Sequence, residues 1–231
     1  MRRLRLMPAI AVLAILVVLT ACSSKKKPTS NLPDGNALLS ASAQQMRELK
    51  TTKFNITAQG SIAGLALRKA DGVLTKEGSA QGTAQVEQFG AAVELTFVIV
   101  GDKIYLKGPT GGYQTLPLAL ASSVYDPSAI LDPERGIAKV LSTAKNGKTE
   151  GEESVNGRDA YRVAASIDGG VLATIVPGTK GDVPAKLWIG KDPKHLLKAT
   201  FTLAGTDSGS GGSVTIVFSD FDAPVTISAP K

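Results

Sequence analysis

Ala84-Gln85-Val86-Glu87 and Val93-Glu94-Leu95-Thr96-Phe97 place an apolar residue at every second position, and the second run continues to Val100. Successive side chains on a strand point to opposite faces, so a period of two marks β-structure with one face on a core and the other in water. Gly101-Asp102 then turns the chain into a further strand over 103–107.

The same pattern spreads outward from this stretch. Phe54-Asn55-Ile56-Thr57-Ala58 alternates upstream, and Asn156-Gly157 joins a strand over 149–155 to another over 158–165. Asn-Gly suits a two-residue hairpin because both central residues of such a turn take positive φ. Three more strands follow at 185–189, 196–203 and 213–218, with the Gly/Ser-rich stretch 205–213 as the last hairpin loop. Short connections between neighbours imply an antiparallel meander.

Helices are fewer. Asp34 or Asn36 can cap a first helix in which Leu38, Leu39, Met46 and Leu49 recur at helical spacing, with Gln44, Gln45, Arg47 and Glu48 facing out. Asp126-Pro127 and Asp132-Pro133 each offer a carboxylate N-cap followed by proline at the first helical position. The second of these starts a helix carrying Ile137, Val140 and Leu141, and 171–176 forms another, ended by Pro177. The sum is an α+β domain, one large antiparallel sheet with a few helices over one face.

The first thirty residues have a separate logic. Arg2, Arg3 and Arg5 precede an apolar run from Met7 to Leu19, and Leu19-Thr20-Ala21-Cys22 closes it with small residues before a cysteine. A basic start, a short apolar core and a small-residue cleavage site make a secretory signal. The run is shorter than the ~20 residues that span a bilayer, which disfavours a retained membrane helix. The tetrapeptide looks like a lipobox, making Cys22 the lipid-attachment residue. Residues 1–21 are read as signal peptide, 22–36 as lipidated cysteine and flexible tether, and 37–231 as one domain. Such a tether reaches ~45 Å fully extended and averages nearer ~20 Å as a flexible chain.

Charge follows the same division. The chain carries 26 Lys+Arg and 20 Asp+Glu, but six of the basic residues lie before residue 28, so the remainder balances. The net +6 therefore gives no basic face for nucleic acid. Lys25, Lys26 and Lys27 instead suit anionic headgroups beside an acyl anchor.

Catalytic chemistry is sparse. His195 is the single histidine, placed at a strand start beside Lys194, and reads as a surface residue. With Cys22 the single cysteine, zinc and copper lack their usual ligands, and neither a G-x-S-x-G elbow nor a Walker loop is present. Glu152-Glu153 could do acid/base work by residue type alone. Adjacent strand positions face opposite ways, so a solvated hairpin edge is the better reading. An enzyme is disfavoured, and neither a metal nor a cofactor is expected.

Alternation does name an interior: Ile56, Ala58, Ala84, Val86, Val93, Leu95 and Phe97. These are modest in size and aromatics are 5% of the chain. The composition permits a hollow interior without requiring one, and patterning alone favours an ordinary packed core.

Several segments carry a further resemblance. They are Gly60-Ser61-Ile62-Ala63-Gly64-Leu65, the run 97–105 (FVIVGDKIY), Tyr125-Asp126-Pro127 with 130–137 (ILDPERGI), Val155-Asn156-Gly157-Arg158, 184–189 around Trp188, and Pro224-Val225-Thr226. In this order and spacing the chain, from about Leu49 to its end, resembles the LppX/LprA/LprF/LprG family of actinobacterial lipoproteins, and within it the LprG type. The first helix and the Gly/Ser loop match only loosely. The resemblance implies a strongly curved antiparallel β half-barrel of LolA/LolB-like form, with helices over the concave face around an apolar cavity.

By that implication the seven interior residues line a cavity for the acyl chains of di- or triacyl lipids or glycolipids, carried across the envelope from a lipid-anchored position outside the cell membrane. The family position matching Ala84 lines the cavity. Leu116, Leu118, Leu120 and Val124, within 113–132, are candidates for its mouth, the alternative being a plain loop packed on the core. A monomer is expected, with bound lipid as the ligand and a major-facilitator efflux transporter as the implied partner. The competing reading is a scaffold lipoprotein that uses the same domain to bind an envelope protein.

Overall fold

The computed structural model describes residues 32–62, 64–88, 90–121, 127–204 and 211–231, and Leu32–Lys231 form one unit. The signal segment, Cys22 and tether residues up to 31 lie outside the described residues, as do Val124, Asp126 and loop residues 205–210.

The first helix, α1, is Gly35–Glu48, and the Asp34 carboxylate caps it by accepting the Ala37 N–H at 2.8 Å. Of the two candidate caps Asp34 serves, so the helix starts at Gly35. Asn36 does not cap; its side-chain oxygen accepts the Gly147 N–H at 2.9 Å and ties the helix to a strand distant in sequence. One side of α1 buries Leu38, Leu39, Ala43 and Met46.

The chain then runs through β1 (Thr51–Gly60), β2 (Leu67–Thr75), β3 (Ala80–Gln88), β4 (Ala91–Val100), β5 (Lys103–Lys107) and β6 (Gln114–Pro117). A short α2 (Leu118–Ala121), a 3-10 turn (Pro127–Leu131) and α3 (Ile137–Thr143) follow. The second half is β7 (Lys145–Val155), β8 (Arg158–Asp168), α4 (Gly169–Leu172), β9 (Asp182–Gly190), β10 (Leu196–Leu203) and β11 (Gly212–Ser219). Strands β2 and β6 were not expected from the sequence.

These strands form one curved, unclosed antiparallel sheet in the order β6-β5-β4-β3-β2-β1-β11-β10-β9-β8-β7. It is two meanders joined at one seam, where β1 pairs with β11 from Lys53↔Ser219 to Gly60↔Gly212. The β7–β8 hairpin turns on Asn156 and Gly157 with φ of 50° and 78°, the positive values its Asn-Gly sequence anticipates.

Asp132 serves a different end from the one expected. Helix α3 begins at Ile137 behind Gly136, and the Asp132 carboxylate accepts the Glu134 and Arg135 N–H groups at 2.8 and 3.0 Å, closing the turn ahead of the helix. Burial alone would raise its pKa, but the Glu134 N–H and the Arg135 side chain outweigh that and hold it below the ordinary value.

Helices lie on one face of the sheet. Helix α1 packs on α3, β7 and β9, while α3 and α4 pack on β8 and the 3-10 turn meets β2. The facing side chains form rows across the strands. One row is Leu95, Ala84, Ala70, Ile56, Ile216, Ala199, Leu187 and Val163, directly paired from β4 to β8. The next contains Phe97, Gly82, Gly72, Phe54 and Phe218. Burying such rows against the helices supplies the main stabilisation, roughly 1.5–3 kcal/mol for each large side chain.

Candidate functional site

All seven interior residues named from alternation fall on the helix-facing side, because their register places Ile56 in line with Ala84 and Leu95. They differ in depth. Ile56, Ala58 and Phe97 are sealed in the core. Ala84, Val86, Val93 and Leu95 are only half-buried.

Helix placement explains the split. With α1, α3 and α4 standing over β7, β8 and β9, the inward residues Val163, Ile167, Val183 and Leu187 are closed off from solvent. The opposite arm, β3 to β6, keeps an apolar surface that those helices do not seal. Leu106 on β5 and Leu118 on α2 belong to it, half-buried yet packed against the core. Buried Leu67 and Ala70 on β2 form its floor beside Val86 and Ala84. These part-open aliphatic side chains form an apolar trough on the helix-facing side of the curved sheet, a lining of the kind apolar-ligand sites use. Leu67, Ala70 and Leu106 were missed in the sequence; the first two sit on the strand whose pattern was not recognised.

Of the residues expected at the mouth, Leu116, Leu118 and Leu120 lie on regular elements, and Val124 lies outside the described residues. Leu116 lies on β6 opposite Ile104, on the trough side, and is 38% exposed. Leu118 and Leu120 lie on α2, which is fixed by the Leu118 N–H donating to the Asp102 carbonyl at 2.7 Å. Leu120 is 66% exposed.

Most of the ionic chemistry lies on the other face, although Glu152, opposite Tyr161 in the β7–β8 register, sits on the helix-facing side. Arg162 pairs with Glu150 and Glu153, Lys191 with Glu152, and the Trp188 indole N–H donates to Glu153 at 2.6 Å. Glu152 and Glu153 therefore take separate partners. Burial would raise Glu150, but hydrogen bonds from Arg162 and Lys186 hold its pKa below the ordinary value. Among the described residues no cluster of three or more His, Cys, Asp and Glu could hold a metal.

His195, expected at the surface, is half-buried. Its ring stacks on Phe221 at 4.3 Å, and its buried Nδ1 has no hydrogen-bond partner among the described residues. Burial first, and then the Arg158 charge, push its pKa down. The reason is the segment after β11, which folds back so that Phe221 packs against the Ala160, Trp188 and Leu197 cluster.

An open antiparallel sheet with helices over one face is the architecture that this chain shares with a family of lipoproteins. The chain belongs to the LppX_LprAFG lipoprotein family, whose pattern matches residues 34–227, starting at the residue that caps α1. It is 35% identical over 227 residues to the lipoarabinomannan carrier protein LprG of Mycolicibacterium smegmatis, covering 95% of this chain and 94% of that one. It is 33% identical over 232 residues to the protein of the same name from Mycobacteroides abscessus, covering 99% and 97%.

Among solved structures, LprF from Mycobacterium bovis superposes with a TM-score of 0.72 at 27% identity, covering 85% of this chain and 96% of that one. LppX from Mycobacterium tuberculosis superposes at 0.64 with 20% identity, covering 84% and 97%, and supports the fold alone. Among the described residues no helix is long and apolar enough to cross a membrane.

Proposed function

We propose that this protein is an exported, lipid-anchored carrier that shelters the acyl chains of a di- or triacyl lipid or glycolipid in its trough. The observation that carries the reading is the half-buried state of Ala84, Val86, Val93 and Leu95, on the face where the rest of the inward row is sealed. Four aliphatic side chains left part-open on a packed sheet suit an apolar guest. The carrier names of the relatives support a glycolipid as that guest.

The task needs no catalysis. Moving a sixteen-carbon chain through water costs about 12 kcal/mol, at ~0.8 kcal/mol per methylene. A dry aliphatic wall removes most of that penalty. Apolar walls discriminate weakly among acyl chains, so selection falls to the headgroup outside the trough. On this reading Cys22 anchors the domain on the outer side of the cell membrane, residues 22–36 let it range over the surface, and cargo passes as a monomer-borne complex to or from a major-facilitator transporter.

Native mass spectrometry of the protein purified from its own membranes tests the proposal. A stoichiometric acyl lipid is expected. An empty domain would overturn carriage and favour the scaffold reading. The anchor is tested separately: Cys22→Ala is expected to release the protein from membranes while leaving cargo occupancy unchanged.

A further inference from the structure

Among the described residues the large apolar side chains left exposed are Tyr113, Leu116 and Leu120, at 38%, 38% and 66%. All three fall within one stretch, 113–120, at the edge of the sheet. Scattered single apolar groups on a surface need no explanation, but a cluster restricted to one edge does.

The charge of the same region is one-sided. Residues 103–120 contain Lys103 and Lys107 and neither Asp nor Glu. Lys107 places its ammonium 5.9 Å from the centre of the Tyr113 ring. The carboxylate nearest in the chain is Asp102, at the β4–β5 turn, whose carbonyl holds α2 in place. The faces also differ: Leu116 looks into the trough opposite Ile104, while Tyr113 borders a groove on the outer face with Thr96 and Val98. The edge thus presents apolar groups on both sides of β6 and at its end, flanked by cations.

We infer that this edge, β6 and α2 with Lys103 and Lys107, is a lip that docks into the surface of an anionic lipid bilayer. The inference rests on the carrier reading and adds where the trough meets the membrane. Tyrosine and leucine beside lysine match the interface, where rings and aliphatics sink below the headgroups while ammonium groups stay among the phosphates. Depth is limited by the backbone. Among the described residues no strand lies beyond β6, and unpaired peptide groups are costly in hydrocarbon, so the lip sits at headgroup level and does not cross. Leu116 then belongs to both surfaces, giving an acyl chain a continuous apolar path from bilayer to trough.

The test uses the full lipoprotein, anchored in vesicles of phosphatidylcholine and phosphatidylglycerol. Cys22 is the single natural cysteine and is consumed by the anchor, so an environment-sensitive fluorophore can be placed through Leu120→Cys, Tyr113→Cys, or Thr202→Cys on the exposed outer face of β10. The 120 and 113 reporters are expected to be quenched by headgroup-level spin-labelled lipid and shielded from aqueous iodide, with the 202 reporter showing the reverse. Lys103→Glu with Lys107→Glu is expected to slow vesicle-to-vesicle cargo transfer about tenfold or more. Reporters at both 120 and 113 that respond only to iodide would overturn the lip. Cargo seen by native mass spectrometry in that case leaves the carrier reading standing, whereas absent cargo overturns that reading whatever the reporters do.

Discussion

Gly72 and Gly82 face each other across β2 and β3 so closely that a Cβ on Gly82 would lie 2.8 Å from the Gly72 Cα and 2.0 Å from the Asp71 carbonyl oxygen. They occupy the row between Phe97 and Phe54, where the sheet carries two large rings and no side chain between them. Backbone, not a flexible side chain, is what an added methyl would meet. Gly82→Ala is expected to destabilise the domain by about 2–3 kcal/mol in urea unfolding. Gly112→Ala, where nothing lies within 4 Å of the added Cβ, is expected to stay within about 0.5 kcal/mol of the parent.

Ala84 and Ala70 are paired neighbours on the inward face, yet one is half-buried and the other is closed off. Ala84→Trp is expected to fold, since its ring can enter the trough, and to lose bound lipid by native mass spectrometry. Ala70→Trp is expected to cost about 3 kcal/mol of stability, because a sealed core has no room for the ring. Retention of normal lipid by the Ala84→Trp protein would show that the trough is not the binding site.

Burial and the Arg158 charge keep the His195 pKa below its unfolded value near 6.5. Both states are neutral above that value, so the full stability is present there. As pH falls below ~6.5 the unfolded chain takes up a proton that the folded chain resists, and stability declines until the folded pKa is passed. His195→Phe is expected to remove this slope from melting temperatures measured between pH 7 and 5, an interval chosen to bracket the unfolded value.

Asp132 shifts in the same direction but in the carboxylate range. Its contribution is present above the ordinary value near 3.9 and is lost as pH falls through the lower folded value. Asp132→Ala is expected to cost about 1 kcal/mol near neutral pH, as loss of a capping carboxylate does, and less under strong acid. An equal cost at both ends of the range would rule out the turn-closing role of the carboxylate.

Much of the sheet was legible because alternation fixes which face a side chain takes. Ile56, Ala84 and Leu95 were placed on one side from the period alone, and the register agrees. Strand β2 escaped because its inward positions include Ala70 and Gly72, too small to contrast with the charged Arg68, Lys69 and Asp71 around them. Strand β6 is four residues ending in Pro117, too short to show a period. Depth was not legible. Ile56 and Ala84 carry the same local signal, and only helix placement, a tertiary fact, seals one and leaves the other part-open. The fold-back that stacks Phe221 on His195 is likewise a long-range event with no local mark.

The β1–β11 seam has a consequence for how the molecule is made. Its partners are about as far apart in sequence as the domain allows, with the Lys50 N–H bonded to Asp222 across 172 residues. Until the last strand has been synthesised, β1 is an unfinished margin, with Phe54, Ile56 and Ala58 lacking their partners Phe218, Ile216 and Val214. A topology with its longest-range pairing at the centre folds slowly and leaves such a margin open to wrong pairing meanwhile. Truncation by even one strand at the C-terminus would therefore divide the sheet through its middle, leaving two half-sheets with no common centre.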